Sequence, residues 1–300
     1  MRWAKRGLVL EPPRGLPWAH SHAALPVPDV LPDGDVALYF SARDAEGRSR
    51  IGRARISLDG SSPARFDPDP VLALGELGTF DDAGVTSSCI VDHDGRRYLY
   101  YSGWSRGATV PFYFFVGCAV SDGGPFVRVS QAPVLERDAI DPYLTASPWV
   151  LVEDGRWRMW YVSGTGWRIE DGRPKHWYHV KYAESDDGVS WGRDGRVCVD
   201  YSDEREYALG RPCVVRDGDR YRMWFSARGE SYRLAYAESD DGLTWTRRDD
   251  EVRLFGESGD WDAMMQAYPA VFDAGGRRHL VYNGNDYGRT GVGLAVLETG

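Results

Sequence analysis

Apolar residues alternate with polar ones along this chain in short runs that end on Gly, Pro or Asp, and one such run recurs. Pro148 opens PWVLVEDGRWRMWYVSG and Pro212 opens PCVVRDGDRYRMWFSARG. Pro269 opens PAVFDAGGRRHLVYNGN, Ser88 opens SCIVDHDGRRYLYYSGW, and Pro28 opens PDVLPDGDVALYFSARD. Openings at 28, 88, 148, 212 and 269 give five copies with spacings of 60, 60, 64 and 57. A fixed period of this size marks a repeat architecture.

Each copy reads as a hairpin followed by two further strands. An apolar strand reaches a turn such as Asp33-Gly34, Asp154-Gly155 or Asp217-Gly218, where Gly supplies positive φ, and an aromatic strand returns. A third strand follows in VKYAESDDG (180–188) and LAYAESDDG (234–242), and a fourth starts at Trp191 and Trp245. The SDDG segments are turn chemistry, with Asp bonding nearby amides, and not metal ligands. Four antiparallel strands per copy predict an all-β, five-bladed β-propeller spanning residues 1–300 as a single domain. The fifth copy ends after its third strand, 292–300, while residues 3–10 resemble 191–198. The strand 2–10 is therefore expected to complete blade five and close the ring, removing an exposed edge.

Composition agrees and narrows the function. Aromatic residues make up 13%, with 12 Trp and 17 Tyr, beside 35 Gly and 17 Pro. The net charge of −9 argues against a nucleic-acid groove, which needs clustered Lys and Arg. No apolar run approaches the ~20 residues of a membrane span, and no secretory leader is evident at the N-terminus. Cys89, Cys118, Cys198 and Cys213 lack metal spacing and sit in apolar runs, as reduced core thiols do. The expectation is a cytoplasmic protein without a cofactor.

In a propeller the first strand of each blade lines the central channel. Residues six or seven positions before each opening are then expected at the channel top: His22, Asp82, Asp141, Glu206 and Asp262. Converging carboxylates raise one another's pKa values, which suits acid/base work on a glycosidic bond. The same face is expected to carry Asp81, Arg43, Asp44, Trp104, Trp167, Arg228, Asn283, Asn285 and Arg289 as substrate-binding groups. Trp stacks on sugar faces, while Arg and Asn donate to hydroxyls or anions. Met264 and Met265 are expected at the rim.

Five copies, Asp141-Pro142 and Glu206 resemble the five-bladed glycosidases of the family 43 and family 32 type. The segments GTFDDAGV, DPYLTASP, EYALGRP and YNGNDYGRTG are similar to those of uncharacterised bacterial relatives of these enzymes. The resemblance implies a blade-one Asp as base or nucleophile, Asp141 as the tuning carboxylate and Glu206 as the proton donor. The blade-one position here is His22, so the resemblance leaves Asp82 as the best base, with Asp262 or Asp44 behind it. His22 is then free to orient substrate, bind an anion or ligate a structural cation in the channel. The leading expectation is a glycosidase acting on a small glycoside or sugar conjugate. The rivals are glycosyl transfer or phosphorolysis, with Arg43, Arg228 and Arg289 as the anion pocket, a lyase or cyclase step, and carbohydrate binding without catalysis.

Overall fold

The computed structural model describes residues 1–60, 62–257 and 259–298, and its regular elements are almost all strands. They pair in five antiparallel groups of the same plan, here called modules one to five. Ser21–Val30, Val36–Arg43 and Ser49–Ile56 form module one, with Arg65–Phe66 outside. Gly84–His93, Arg96–Arg106 and Phe112–Ser121 repeat it with Val127–Arg128 outside. Module three is Thr145–Glu153, Arg156–Glu170, Arg173–Ser185 and Val197–Val199. Module four is Ala208–Asp217, Arg220–Arg228, Tyr232–Ser239 and Thr246–Arg247. Ala267–Ala274, Arg277–Asn283 and Val292–Leu297 begin module five, and Arg2–Leu10 completes it, pairing from Trp3↔Leu297 to Leu10↔Val292.

Single parallel bridges, Ser49↔Gly84 and Tyr178↔Ala208, join modules one to two and three to four. Hydrogen bonding thus divides the strands into sheets of eight, eight and five, rather than five separate four-stranded sheets. The outer strands are shorter than the repeat suggests. Trp191 and Trp245 precede their strands instead of opening them, and the Trp191 ring packs edge-on against Tyr100 of module two. No helix among the described residues is long and apolar enough to cross a membrane.

Turn chemistry follows the sequence with one shift. Asp154 (φ 51°) and Gly155 (φ 78°) join the pair Glu153↔Arg156, as a two-residue turn with two positive φ angles requires. In module four the ladder runs on to Asp217↔Arg220, so Gly218-Asp219 makes the turn. Asp217 is left to pair with Arg278 of module five at 2.6 Å. In the SDDG turns, the amides of Val189 and Ser190 donate to Asp187 at 2.8 and 2.7 Å, and those of Leu243 and Thr244 to Asp241, both at 2.7 Å. These donors pull the Asp187 pKa down to about 2.

The apolar core lies between modules. One cluster joins Val27 and Tyr39 to Val85 and Tyr101, a second Tyr100 to Trp157, and a third Trp160 to Phe225. A fourth joins Trp224 to Trp3 and Tyr282, and a fifth runs from Val281 and Leu294 back to Phe40 and Leu38. Consecutive modules are therefore packed in a cycle, the fifth against the first. The four free cysteines are buried in these strands.

Candidate functional site

The first strand of every module is broken at the same place. Register shifts fall at Ala24/Val27, Ser87/Cys89, Ala146/Trp149, Gly210/Cys213 and Ala267/Ala270. In four modules a proline follows the break, where the missing N–H cannot extend the ladder. The residue just before it takes left-handed φ: Leu25, Ser147, Arg211 and Tyr268, at 54°, 45°, 56° and 57°. Side chains of the preceding module hold these bulges. Asn283 Oδ1 accepts from the Leu25 amide at 2.7 Å, and the Oγ atoms of Ser41, Ser102 and Ser226 accept from the amides of Ser87, Ser147 and Tyr268.

Arg211 crosses the middle of this arrangement. Fully buried, it donates from module four to the Ser88 carbonyl and, at 2.8 Å, to the Pro26 carbonyl. Burial lowers its pKa to about 10, which leaves it charged at neutral pH. The five bulge positions are thus Leu25, Ser87, Ser147, Arg211 and Tyr268, without a carboxylate.

The predicted acids occupy other places, and three of them sit in ion pairs. Asp141, with no exposed surface, accepts from Tyr161 at 2.7 Å and Lys181 at 3.0 Å and is ion-paired with Arg193 at 3.1 Å. Glu206 is bound by Arg247 at 2.7 Å, by Arg233, and by the Ser202 amide at 2.8 Å. Asp262 pairs with Lys5 at 2.8 Å and accepts from Tyr282 at 2.9 Å. In module two the equivalent residue is Asp81, which pairs with Arg128 at 2.8 Å and accepts from Tyr101 at 3.1 Å. Asp82 is half-buried, accepts the Gly78 amide at 3.0 Å and lies outside the ion pairs.

The repeating offset is therefore that of a tie between the strand entry and the module's outer edge. Its cations follow an aromatic residue by two positions: Phe126/Arg128, Trp191/Arg193, Trp245/Arg247 and Trp3/Lys5. Module one departs on both sides. Pro68 follows Phe66, and Trp18 takes the place of the ion pair, stacking on Phe40 and donating to the Pro68 carbonyl at 2.8 Å. The bulge sets the module-one register at Pro26 rather than Pro28, so the acids' counterpart is Ala19, beside Trp18, and not His22. Among the described residues, no three His, Cys, Asp or Glu side chains cluster closely enough to hold a metal ion.

What modules one, two and five bring together is a cavity of about 330 Å³. Leu25, Arg43, Thr86, Trp104, Phe112, Phe114, Tyr268 and Tyr287 line it, and no carboxylate of the described residues does. Ser49 fixes Trp104 by accepting its indole N–H at 2.8 Å. Trp167 stands behind this wall, edge-on to Phe112 and His176, each at 5.3 Å. Arg228 lies 5.2, 5.2 and 5.3 Å from the rings of Tyr207, Tyr232 and Tyr287.

Other predicted ligand groups are engaged by the protein. Asn283 donates to the carbonyls of Ala23 and Gly291, at 2.7 and 2.9 Å, besides holding Leu25. Asn285 accepts from the Met264 and Met265 amides and donates to Asp260. Asp44 accepts from Arg48, Arg50 and the Glu46 amide. These three are positioning residues. Met264 is exposed as expected, whereas Met265 is buried. The aromatic wall Phe112/Phe114 and the residues Tyr268 and Tyr287 escaped the sequence reading; the alternating aromatics of FYFF (112–115) were the available signal.

No protein-family model matches the chain. It is 44% identical over 303 residues to two Mycobacterium tuberculosis proteins, "Uncharacterized protein MT1551" (strain CDC 1551 / Oshkosh) and "Uncharacterized protein Rv1502" (strain ATCC 25618 / H37Rv), covering 99% of this chain and 100% of each relative. Among solved structures, a glycoside hydrolase superposes with a TM-score of 0.78 at 16% identity, covering 99% of this chain and 92% of its own. A thermostable family-43 glycoside hydrolase gives 0.70 at 16% identity, covering 97% and 94%. The family-32 β-fructofuranosidase of Bombyx mori gives 0.67 at 14% identity, covering 97% and 62%. The fold is that of the β-propeller glycoside hydrolases of families 43 and 32.

Proposed function

We propose, from the premise that this chain belongs to the family of the M. tuberculosis proteins Rv1502 and MT1551, that it is a glycosidase-like five-bladed β-propeller holding a small glycoside or sugar conjugate in its aromatic cavity. The cyclic packing of five modules and the docking of Arg2–Leu10 on the last one support the propeller reading. The observation that carries the ligand class is the cavity wall, with Trp104, Phe112, Phe114, Tyr268 and Tyr287 beside Arg43. Aromatic faces of this kind take the apolar face of a sugar ring while a guanidinium donates to its hydroxyls.

Glycosidic cleavage needs a carboxylic acid and a carboxylate flanking the bond. Asp141 and Glu206 serve as ties in this reading, and the electrostatics of Glu206 agree. Burial is the largest single influence and would raise its pKa, but Arg247 and Ser202 together outweigh it and hold Glu206 below the ordinary glutamate value, opposite to what a proton donor requires. Asp82 is the carboxylate of the three left for chemistry, next to Ala83, whose amide donates to the Trp104 carbonyl at 3.1 Å. The carboxylate-free lining favours a second reading, sugar binding without cleavage.

A panel of aryl glycosides, assayed for both binding and release, separates the two. Release that Asp82→Asn abolishes without lowering the unfolding midpoint supports the enzyme, and binding without release supports the second reading. Trp104→Ala is expected to weaken binding about tenfold, as loss of one aromatic stacking partner does. Unchanged binding in that variant overturns the cavity assignment.

A further inference from the structure

Two arginines that form no ion pair among the described residues, Arg43 and Arg289, meet beside the cavity. Arg43 stands in the wall shared with a depression of about 520 Å³ that also holds His20, His22 and Arg289. Acidic side chains outnumber basic ones, 45 to 36, and most arginines are paired. Yet no ion pair engages Arg43, Arg228 or Arg289 among the described residues, and Arg43 and Arg289 are exposed. Asp44, the acid that lines the same depression, is held by Arg48 and Arg50 at 2.9 and 2.7 Å.

The backbone around Arg289 is arranged at a cost. It follows the tight turn Asn285–Gly288, where Asp286 and Tyr287 take φ of 54° and 60°. Non-glycine residues in this region are strained and persist where their surroundings hold them. Asn285 and Thr290 do so here; the Thr290 hydroxyl donates to the Trp261 carbonyl at 2.8 Å. The strained turn supplies Tyr287 to the aromatic cavity and Arg289 to the neighbouring depression. Between them, buried His22 has its pKa lowered to about 4 by desolvation and by Arg43 and Arg289, against the opposing charge of Asp286. It is therefore neutral at pH 7 and able to donate or accept one hydrogen bond without adding a third charge.

We propose that Arg43 and Arg289 form an anion subsite for an acidic group on the sugar ligand, a carboxylate or a phosphate or sulfate ester, with neutral His22 as a further hydrogen-bonding partner. The subsite rests on the aromatic cavity being the sugar site. Guanidinium forks suit such oxyanions, and an unpaired cluster of cations gains most when a ligand brings the missing negative charge.

The test is calorimetric titration of matched monosaccharides into the full chain: neutral hexoses, their uronic acids and their 6-phosphates, with inorganic phosphate alone as a separate probe. The same series is run on the Arg43→Gln/Arg289→Gln double variant. The expected result is at least tenfold tighter binding of an acidic sugar than of its neutral counterpart, with the preference weakened by salt and lost in the double variant. Equal binding of neutral and acidic sugars by the wild type overturns the subsite while leaving the cavity reading intact. Arginine-dependent binding of inorganic phosphate, without preference for acidic sugars, also overturns it and assigns the arginines to a free anion. Binding of no sugar at all overturns the cavity reading beneath it.

Discussion

Around the four buried carboxylates every acid has a cation within ion-pairing reach, whereas beside the aromatic cavity Arg43, Arg228 and Arg289 form no ion pair among the described residues. Both regions are built on the same repeat, so the difference is not one of fold. A buried charge needs its partner in the folded chain itself, and the ties Asp81/Arg128, Asp141/Arg193, Glu206/Arg247 and Asp262/Lys5 meet that need. An exposed charge is stable in water and is free for a ligand. Module one makes the point from within, since it replaces the tie with Trp18 on Phe40 and also contributes Arg43 and His22 to the open side.

The sharpest way to break the comparison is to remove a tie. Asp141→Asn leaves Lys181, 11% exposed, without its anion, and Arg193, 7% exposed, with the partly exposed Asp138 alone. Such a loss is expected to cost about 3–5 kcal/mol in urea unfolding. A change below the error of that measurement contradicts the structural role.

Glu206→Gln should cost less, about 1.5–3 kcal/mol, because Arg233 is half in water. Its pH dependence has a definite sign. The folded pKa of Glu206 lies below the unfolded one, burial opposing and Arg247 and Ser202 together prevailing. The carboxylate's contribution is therefore fully present above about pH 4.3 and is lost as pH falls through the folded value. The wild type is expected to show this acid limb in its unfolding midpoint and Glu206→Gln a flatter one; identical limbs would refute it.

The smallest effect lies on the open side. His22 is expected to titrate near pH 4 by NMR, mainly through burial, and to move upward in Arg43→Gln as one repelling charge is removed. A midpoint near the ordinary histidine value of 6.5 would place the arginines away from it.

The repeat was legible because proline, glycine and aromatic spacing repeat whenever a strand must break, turn and return. Even the pairing of the first strand with the last module was readable in the likeness of residues 3–10 to 191–198. The acidic offset was legible too, but its meaning was not. Its partners lie 41 to 52 residues later in modules two to four, and 257 residues earlier for Asp262 and Lys5. Only the matching aromatic-x-basic pattern, with Pro68 and Ala19 changed together, marks them as one device. The first module misled because its bulge sits at Pro26, two residues before the Pro28 that begins the similar run. Asn283 and Asn285 read as ligand donors since a sequence does not reveal that carbonyls and amides of neighbouring turns already occupy them.

A crystal structure with the tightest-binding glycoside of the panel tests the account most directly. The account predicts a sugar ring within about 4 Å of Trp104 and Tyr268, with Asp141 and Glu206 still in their ion pairs. A glycosidic oxygen within about 3 Å of the Asp141 or Glu206 carboxylate would contradict it.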